Sequence, residues 1–158
     1  MIRKVKEDDY NKIINLFCNN IEKHKEYISH GEIQMGIASD SYNLSENFRE
    51  IWRNYLIYHV SKGSNVIVFE EDNIILGFII SEISSDLDHS FGVICDILIQ
   101  KDIRCKGIGT ILVNNALDFF KENNITQIFI ESGLNNELAH NFFENIGFKC
   151  VSKVFMLN

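Results

Sequence analysis

The stretch Ile97-Leu98-Ile99-Gln100-Lys101-Asp102-Ile103-Arg104-Cys105-Lys106-Gly107-Ile108-Gly109-Thr110 decides how this 158-residue chain is read. It opens as the end of an apolar strand, Phe91–Ile99, and passes through a polar turn with two glycines. A helix follows to about Asn123, with Ile108, Ile111, Leu112, Ala116, Phe119 and Phe120 spaced along one face. Thr126–Glu131 is the next strand, so the unit is βαβ, with a right-handed crossover and a parallel pair. A helix N-terminus offers unpaired N–H groups and partial positive charge, and glycine lets an anion approach the backbone closely. Arg104 and Lys106 add charge. The turn reads as a seat for phosphate.

Working outward, Ile2–Val5 reads as a short strand. A helix from about Asp8 or Asp9 carries Ile13, Ile14, Phe17 and Ile21 on one face. Ser29–Ser45, with two glycines, looks irregular, and a second helix runs from about Glu46 to Ser61 with Phe48, Ile51, Trp52, Tyr55 and Val60 apolar. Asn65–Phe69 and Ile74–Ser84 form an antiparallel hairpin signal, followed by a polar loop, Ser85–Ser90. Beyond the βαβ unit a short helix, Asn136–Ile146, ends at Gly147, and Val151–Leu157 is expected as a last strand. The fold class expected is α/β (α+β by some schemes). It has a single mixed, mostly antiparallel sheet with one parallel βαβ pair and helices on both faces. No repeat or linker divides residues 1–158, which are taken as one domain.

Three phosphate-binding turns compete for the quoted stretch. A Walker P-loop needs Gly-Lys-Ser/Thr, which does not occur, and a dinucleotide fingerprint finds Leu112 at its third glycine position. A turn that cradles the pyrophosphate of coenzyme A remains. At this point the chain resembles the GNAT acyl-CoA-dependent N-acetyltransferases. Their Arg/Gln-x-x-Gly-x-Gly/Ala signature is met by Arg104, Gly107 and Gly109. A second motif, Asn-x-x-Ala-x-x-Phe-Tyr-x-x-x-Gly-Phe, is met by Asn136, Ala139, Phe142, Gly147 and Phe148, with Phe143 at the Tyr place. The family often has Pro and Tyr before the Arg and Gly after it; here these are Lys101, Ile103 and Cys105.

The resemblance implies acetyl-CoA as co-substrate, a parallel pair that splays to admit it, and transfer to an amine. It implies that backbone groups of Ile97, Leu98 and Ile99 pair with pantetheine like an added strand. Amides of Cys105, Lys106, Gly107, Ile108, Gly109 and Thr110 would hold the pyrophosphate, with Arg104 and Lys106 contacting phosphate and Asn136 and Phe143 touching the cofactor. A lysine-like amine has a pKa of ~10.4, so freeing its lone pair at pH 7 costs about 4.6 kcal/mol, and a carboxylate, directly or through water, must take the proton. Asp96 and Glu131 are the first candidates, because the flanking strands carry them toward the splay; Glu82, Asp86 and Asp88 come next. A bulge within Phe91–Ile99 would swap its inward and outward residues. The N–H of Ile97 or Leu98 is a candidate oxyanion donor.

Composition sets the remaining bounds. Fifteen Lys and Arg against 22 Asp and Glu give a net charge of −7, which disfavours a nucleic-acid partner. Residues 63–100 hold seven acids and no Lys or Arg, which points to a cationic acceptor, a small molecule or a peptide. Cys18, Cys95, Cys105 and Cys150 form no C-x-x-C pair, and the five histidines show no metal spacing, so no metal is expected. Reduced thiols and the absence of a signal peptide or long apolar run point to a cytoplasmic protein without membrane contact. A homodimer is compatible with these features. A non-catalytic acyl-CoA-binding module on the same fold is the alternative function.

Overall fold

The computed structural model describes residues 1–158. Its five strands are β1 Ile2–Lys4, β2 Asn65–Glu71, β3 Ile74–Asp86, β4 His89–Ile99 and β5 Ile128–Ile130, in the spatial order β1-β2-β3-β4-β5. All neighbours are antiparallel except β4 and β5, the two strands on either side of the crossover helix. The helices are α1 Tyr10–Lys23, α2 His30–Gln34, α3 Phe48–Ser61, α4 Ile108–Glu122 and α5 Glu137–Asn145. None is long and apolar enough to cross a membrane.

The alternation of side chains across the sheet divides the core in two. On one face α1 and α3 pack through Ile13, Phe17, Trp52 and Leu56 against Val68, Phe78 and Ile80. Trp52 is fully buried there, stacked on Phe17 at 4.2 Å and edge-on to Phe78 at 5.7 Å. On the other face Ile108, Leu112, Ala116 and Phe120 of α4 cover Ile67, Ile79 and Ile94. Gly77 on β3 makes the α4 side this tight, since a Cβ there would lie 2.9 Å from the Leu98 carbonyl and 3.4 Å from Leu112.

Several expected boundaries move. The Ser85–Ser90 loop is replaced by continued β3–β4 pairing, Ser85 with Ser90 and Asp86 with His89, around a two-residue turn at Leu87–Asp88. The irregular segment contains the short helix α2, whose N-cap Ser29 accepts from the Gly31 N–H. The expected strand Val151–Leu157 does not form: β5 offers an edge of only three residues, and Val151, Phe155 and Leu157 stay exposed.

Two irregularities in β4 shape the site. Ile80 pairs with Asp96 but Ser81 pairs with Ile94, so Cys95 is the extra residue of a bulge. On its other edge β4 pairs with β5 only at Gly92, Val93 and Ile94. From Cys95 to Ile99 that edge has no strand partner. This is the splay.

Candidate functional site

The splay opens into a cavity of about 650 Å³ lined by residues of every expected cofactor element: Asp96 to Ile99, Arg104, Cys105, Gly107 to Thr110, Asn136 and Phe143. Lys106 is exposed on the turn and outside the lining. The loop after β5 closes one side. Gly133 passes so near the 24–28 segment that a Cβ would meet the Glu26 carbonyl at 2.5 Å.

The turn that begins α4 has a distinctive backbone. Cys105 and Gly107 both lie in the left-handed region, at φ 62° and 81°. The first hydrogen bond of the helix runs from the Ile111 N–H to the Gly107 carbonyl, and none of the amides from Cys105 to Thr110 donates to a protein group. Alternating hands of this kind turn successive N–H groups toward one concave spot, an anion-binding nest, reinforced here by the helix dipole. Cys105 stands where the family pattern favours Gly, and its positive φ is the physical reason for that preference. Gly109 serves differently. Its φ is ordinary, but an added Cβ would press on Phe142 at 3.2 Å and Ile99 at 3.4 Å.

Arg104 departs from expectation. Its Nε donates to the Ile99 carbonyl at 2.9 Å, Nη1 to the Tyr27 hydroxyl and Nη2 to Asn20 Oδ1 at 3.1 Å. The guanidinium is therefore committed to joining the turn to α1 and its following segment, not to the nest. Leu98 is a second correction. The Gln100 N–H bonds to the Leu76 carbonyl, so by antiparallel alternation the polar groups of Leu98 face β3 and those of Ile97 and Ile99 face the splay.

The two leading carboxylates are placed in opposite environments. Asp96 sits half-buried in the cavity wall. Burial first, and then the nearby Glu32 carboxylate, push its pKa well above the usual range; a hydrogen bond from Tyr55 offsets this only in part. Glu131 also lines the cavity, yet its carboxylate accepts from the Gly31 N–H at 2.7 Å, Ser29 Oγ at 2.9 Å and His30 Nδ1 at 3.0 Å. Burial raises its pKa, but these bonds together outweigh burial and leave it below the ordinary value. The Ser29 hydroxyl shares its one proton with Glu32 Oε2, 2.6 Å away. The Gly31 and His30 contacts alone still occupy both Glu131 oxygens, and a carboxylate so held is a weak base. Glu131 is a strut between β5 and α2, which corrects its place among the proton acceptors.

The remaining acids divide as well. Asp86 and Asp88 are exposed at the tip of the β3–β4 hairpin and outside the cavity. Glu70 is paired with Arg3 at 2.7 Å. Glu82 does line the cavity, but the Lys62 ammonium rests on it. Asn136 caps α5 by accepting from the Ala139 N–H at 3.2 Å. Phe143 is buried against Phe142 and Phe148, with ring centroids 5.3 and 6.0 Å away. Residues the sequence did not single out also line the cavity: Glu32, His59 and Ser132, whose buried Oγ has no hydrogen-bond partner.

The family model described as the acetyltransferase (GNAT) family matches residues 32–148. Among solved structures, a tetramutant of a Bacillus halodurans protein superimposes with a TM-score of 0.77 at 20% identity, covering 100% of this chain and 99% of that one. An aminoglycoside 6′-N-acetyltransferase from Acinetobacter haemolyticus gives 0.75 at 13% identity, covering 100% and 97%. A predicted acetyltransferase from Clostridium acetobutylicum, solved with acetyl-CoA, gives 0.72 at 17% identity, covering 100% and 95%. A search of curated protein sequences found no match for this chain. At these identities the likeness to solved structures establishes the fold. With the family model spanning most of the sequence, and the nest and splay where its motifs fall, the chain belongs to the GNAT acetyltransferase family.

Proposed function

We propose that the protein transfers an acetyl group from acetyl-CoA directly to a primary amine of a cationic small molecule or peptide, within a ternary complex. The observation that carries this reading is the run of unspent amides from Cys105 to Thr110 beside the unpaired edge of β4. Charge-assisted hydrogen bonds are worth about 1.5–3 kcal/mol each, and a pyrophosphate can accept several from such a nest. Pantetheine amides would pair with Ile97 and with the Ile99 N–H, the Ile99 carbonyl being held by Arg104, as a strand added to a free sheet edge. Ser132 Oγ and the Asn136 amide nitrogen, which have no protein partner, are further donors for the same ligand.

Asp96 is the proton acceptor in this mechanism. A pocket that raises a carboxyl pKa lowers that of an incoming ammonium, so the gap between the two narrows from both sides. The freed amine nitrogen attacks the thioester carbon, and the Ile97 N–H steadies the charge on the carbonyl oxygen. The C–N bond forms and the C–S bond breaks; the first ammonium proton resides on Asp96, and the second, released from nitrogen as the amide forms, passes through water to the CoA thiolate.

The test is acceptor-dependent release of CoA thiol across polyamines, aminoglycosides, amino acids and peptide N-termini. Acetyl-CoA binding without turnover on any of them would favour the non-catalytic module. Asp96 and Glu32 inside the cavity support the cationic preference, whereas the exposed hairpin acids do not contribute at short range. Cationic acceptors are therefore expected to show the lowest KM, rising with ionic strength as the field is screened. Preference for an acidic acceptor would contradict this.

Phe143 bears on the leaving group. In many relatives a Tyr at this place is proposed to protonate the departing thiolate, and Phe has no proton to give. With a thiol pKa of ~8.5, leaving as thiolate at pH 7 costs only about 2 kcal/mol, against enzymatic barrier reductions of ~8 kcal/mol or more. Phe143→Tyr is expected to change kcat by less than tenfold, while Phe143→Ala weakens acetyl-CoA binding through lost packing. A gain of several hundredfold in the Tyr variant would instead mark the natural protein as a degraded enzyme.

A further inference from the structure

The same cavity wall also holds a cluster that the proposed acetyl transfer does not use. His59 from the last turn of α3, Glu82 from β3 and Cys95 from β4 bring one donor atom each to within 4.8 Å of one another. The bulge is responsible for the third member. Cys95 is the extra residue in the β3–β4 pairing, and it packs on the α1–α3 side with Leu98, where His59 is also found. All three residues line the cavity. The Lys62 ammonium already rests against Glu82, so the spot holds a positive charge in the free protein.

We propose that His59, Glu82 and Cys95 bind a single divalent ion of the zinc class, with its remaining coordination position open to the cavity. An imidazole, a carboxylate and a thiolate are the donors a borderline ion such as Zn²⁺ favours, and three protein ligands plus one open position is a common zinc arrangement. Tetrahedral bonds of about 2.0–2.3 Å place ligand atoms roughly 3.3–3.8 Å apart; His59 Nδ1 and Glu82 Oε2 already stand 3.4 Å apart, so the adjustment falls on Cys95. On binding, the Cys95 thiol releases its proton to solvent, and Lys62, about one-third exposed, swings away from Glu82 into water. His59 Nδ1 lies 3.4 Å from Glu82 Oε2 and 2.9 Å from Ser64 Oγ, so the Ser64 contact gives way when this nitrogen takes the ion. The proposal concerns the ion alone and does not depend on acetyl transfer.

The test is titration of the metal-free protein with Co²⁺, read by absorption, followed by Zn²⁺ displacement. One equivalent should bind with a near-ultraviolet thiolate-to-cobalt charge-transfer band, and Zn²⁺ should abolish the band. Cys95→Ser should remove the band, and Glu82→Gln should weaken binding at least tenfold. Lys62→Met leaves every donor in place while deleting the competing cation, so it should tighten binding about tenfold. Absence of the band in the wild-type protein, its persistence in Cys95→Ser, or unchanged or weaker binding in Lys62→Met would overturn the proposal.

Discussion

Replacing Asp96 with Asn is expected to lower kcat/KM by roughly 10²–10⁴-fold, the usual contribution of a positioned general base, while making the protein more stable at neutral pH. The two effects share one cause. Burial, with Glu32 close by, raises the Asp96 pKa well above its unfolded value, so the native state holds this proton more tightly than the unfolded chain does. Below the unfolded pKa both states are protonated and the site costs nothing. As pH rises from there toward the native pKa, the unfolded chain releases its proton first, and stability is lost throughout that window. Asn carries no such proton and keeps a carbonyl oxygen for the Tyr55 hydroxyl. The gain in Tm of Asp96→Asn over the natural protein should therefore be absent in acid and grow with pH. The acidic limb of kcat/KM should lie above the ordinary carboxylate range in the natural protein and vanish in the variant. Both series are run with chelator present, so that no ion near Cys95 contributes. A variant that is less stable at pH 7 and still active would remove Asp96 from the mechanism.

The shape of the turn before α4 was legible in the sequence because everything that forms it is local. Two glycines, a strand before and an amphipathic helix after suffice to place unspent N–H groups at a helix start, and those groups are found from Cys105 to Thr110. What the sequence could not supply was any assignment resting on a distant partner. Arg104 read as a phosphate ligand by charge and position, but Asn20 and Tyr27, 84 and 77 residues away, take its donors. Glu131 read as a base by its place on a strand near the splay, but Ser29 and Gly31, 102 and 100 residues away, fill its lone pairs. Val151–Leu157 has the residues of a strand, yet a strand exists only where an edge receives it, and β5 offers three residues. Asp96 is intermediate. Alternation alone cannot say which face it occupies, because one extra residue reverses the count, and Cys95 is that residue.

Gly107→Val is expected to reduce acetyl-CoA affinity at least 10²-fold in a protein that remains folded. No atom lies within 4 Å of where a Cβ at this position would stand, so the substitution meets no steric clash. The difficulty is the backbone. A φ of 81° is open to glycine but strained for a β-branched residue, which relaxes toward negative φ at a site where nothing in the core resists it. Relaxation rotates the peptide units on either side, and the amides of Gly107 and Ile108 no longer point into the nest. Losing even two charge-assisted bonds of about 1.5–3 kcal/mol each accounts for the 10²-fold loss or more. The strain itself, roughly 1–2 kcal/mol, should lower Tm by about 2–8 °C in a chain of this size. Gly109→Ala is the matched control. Its φ is ordinary and its new methyl would press on Phe142 and Ile99, so it perturbs packing while leaving the hand of the nest unchanged. Calorimetric titration with acetyl-CoA, beside thermal unfolding of both variants, separates the two effects. If Gly107→Val stays folded and binds as tightly as the natural protein, the pyrophosphate is not held by this turn.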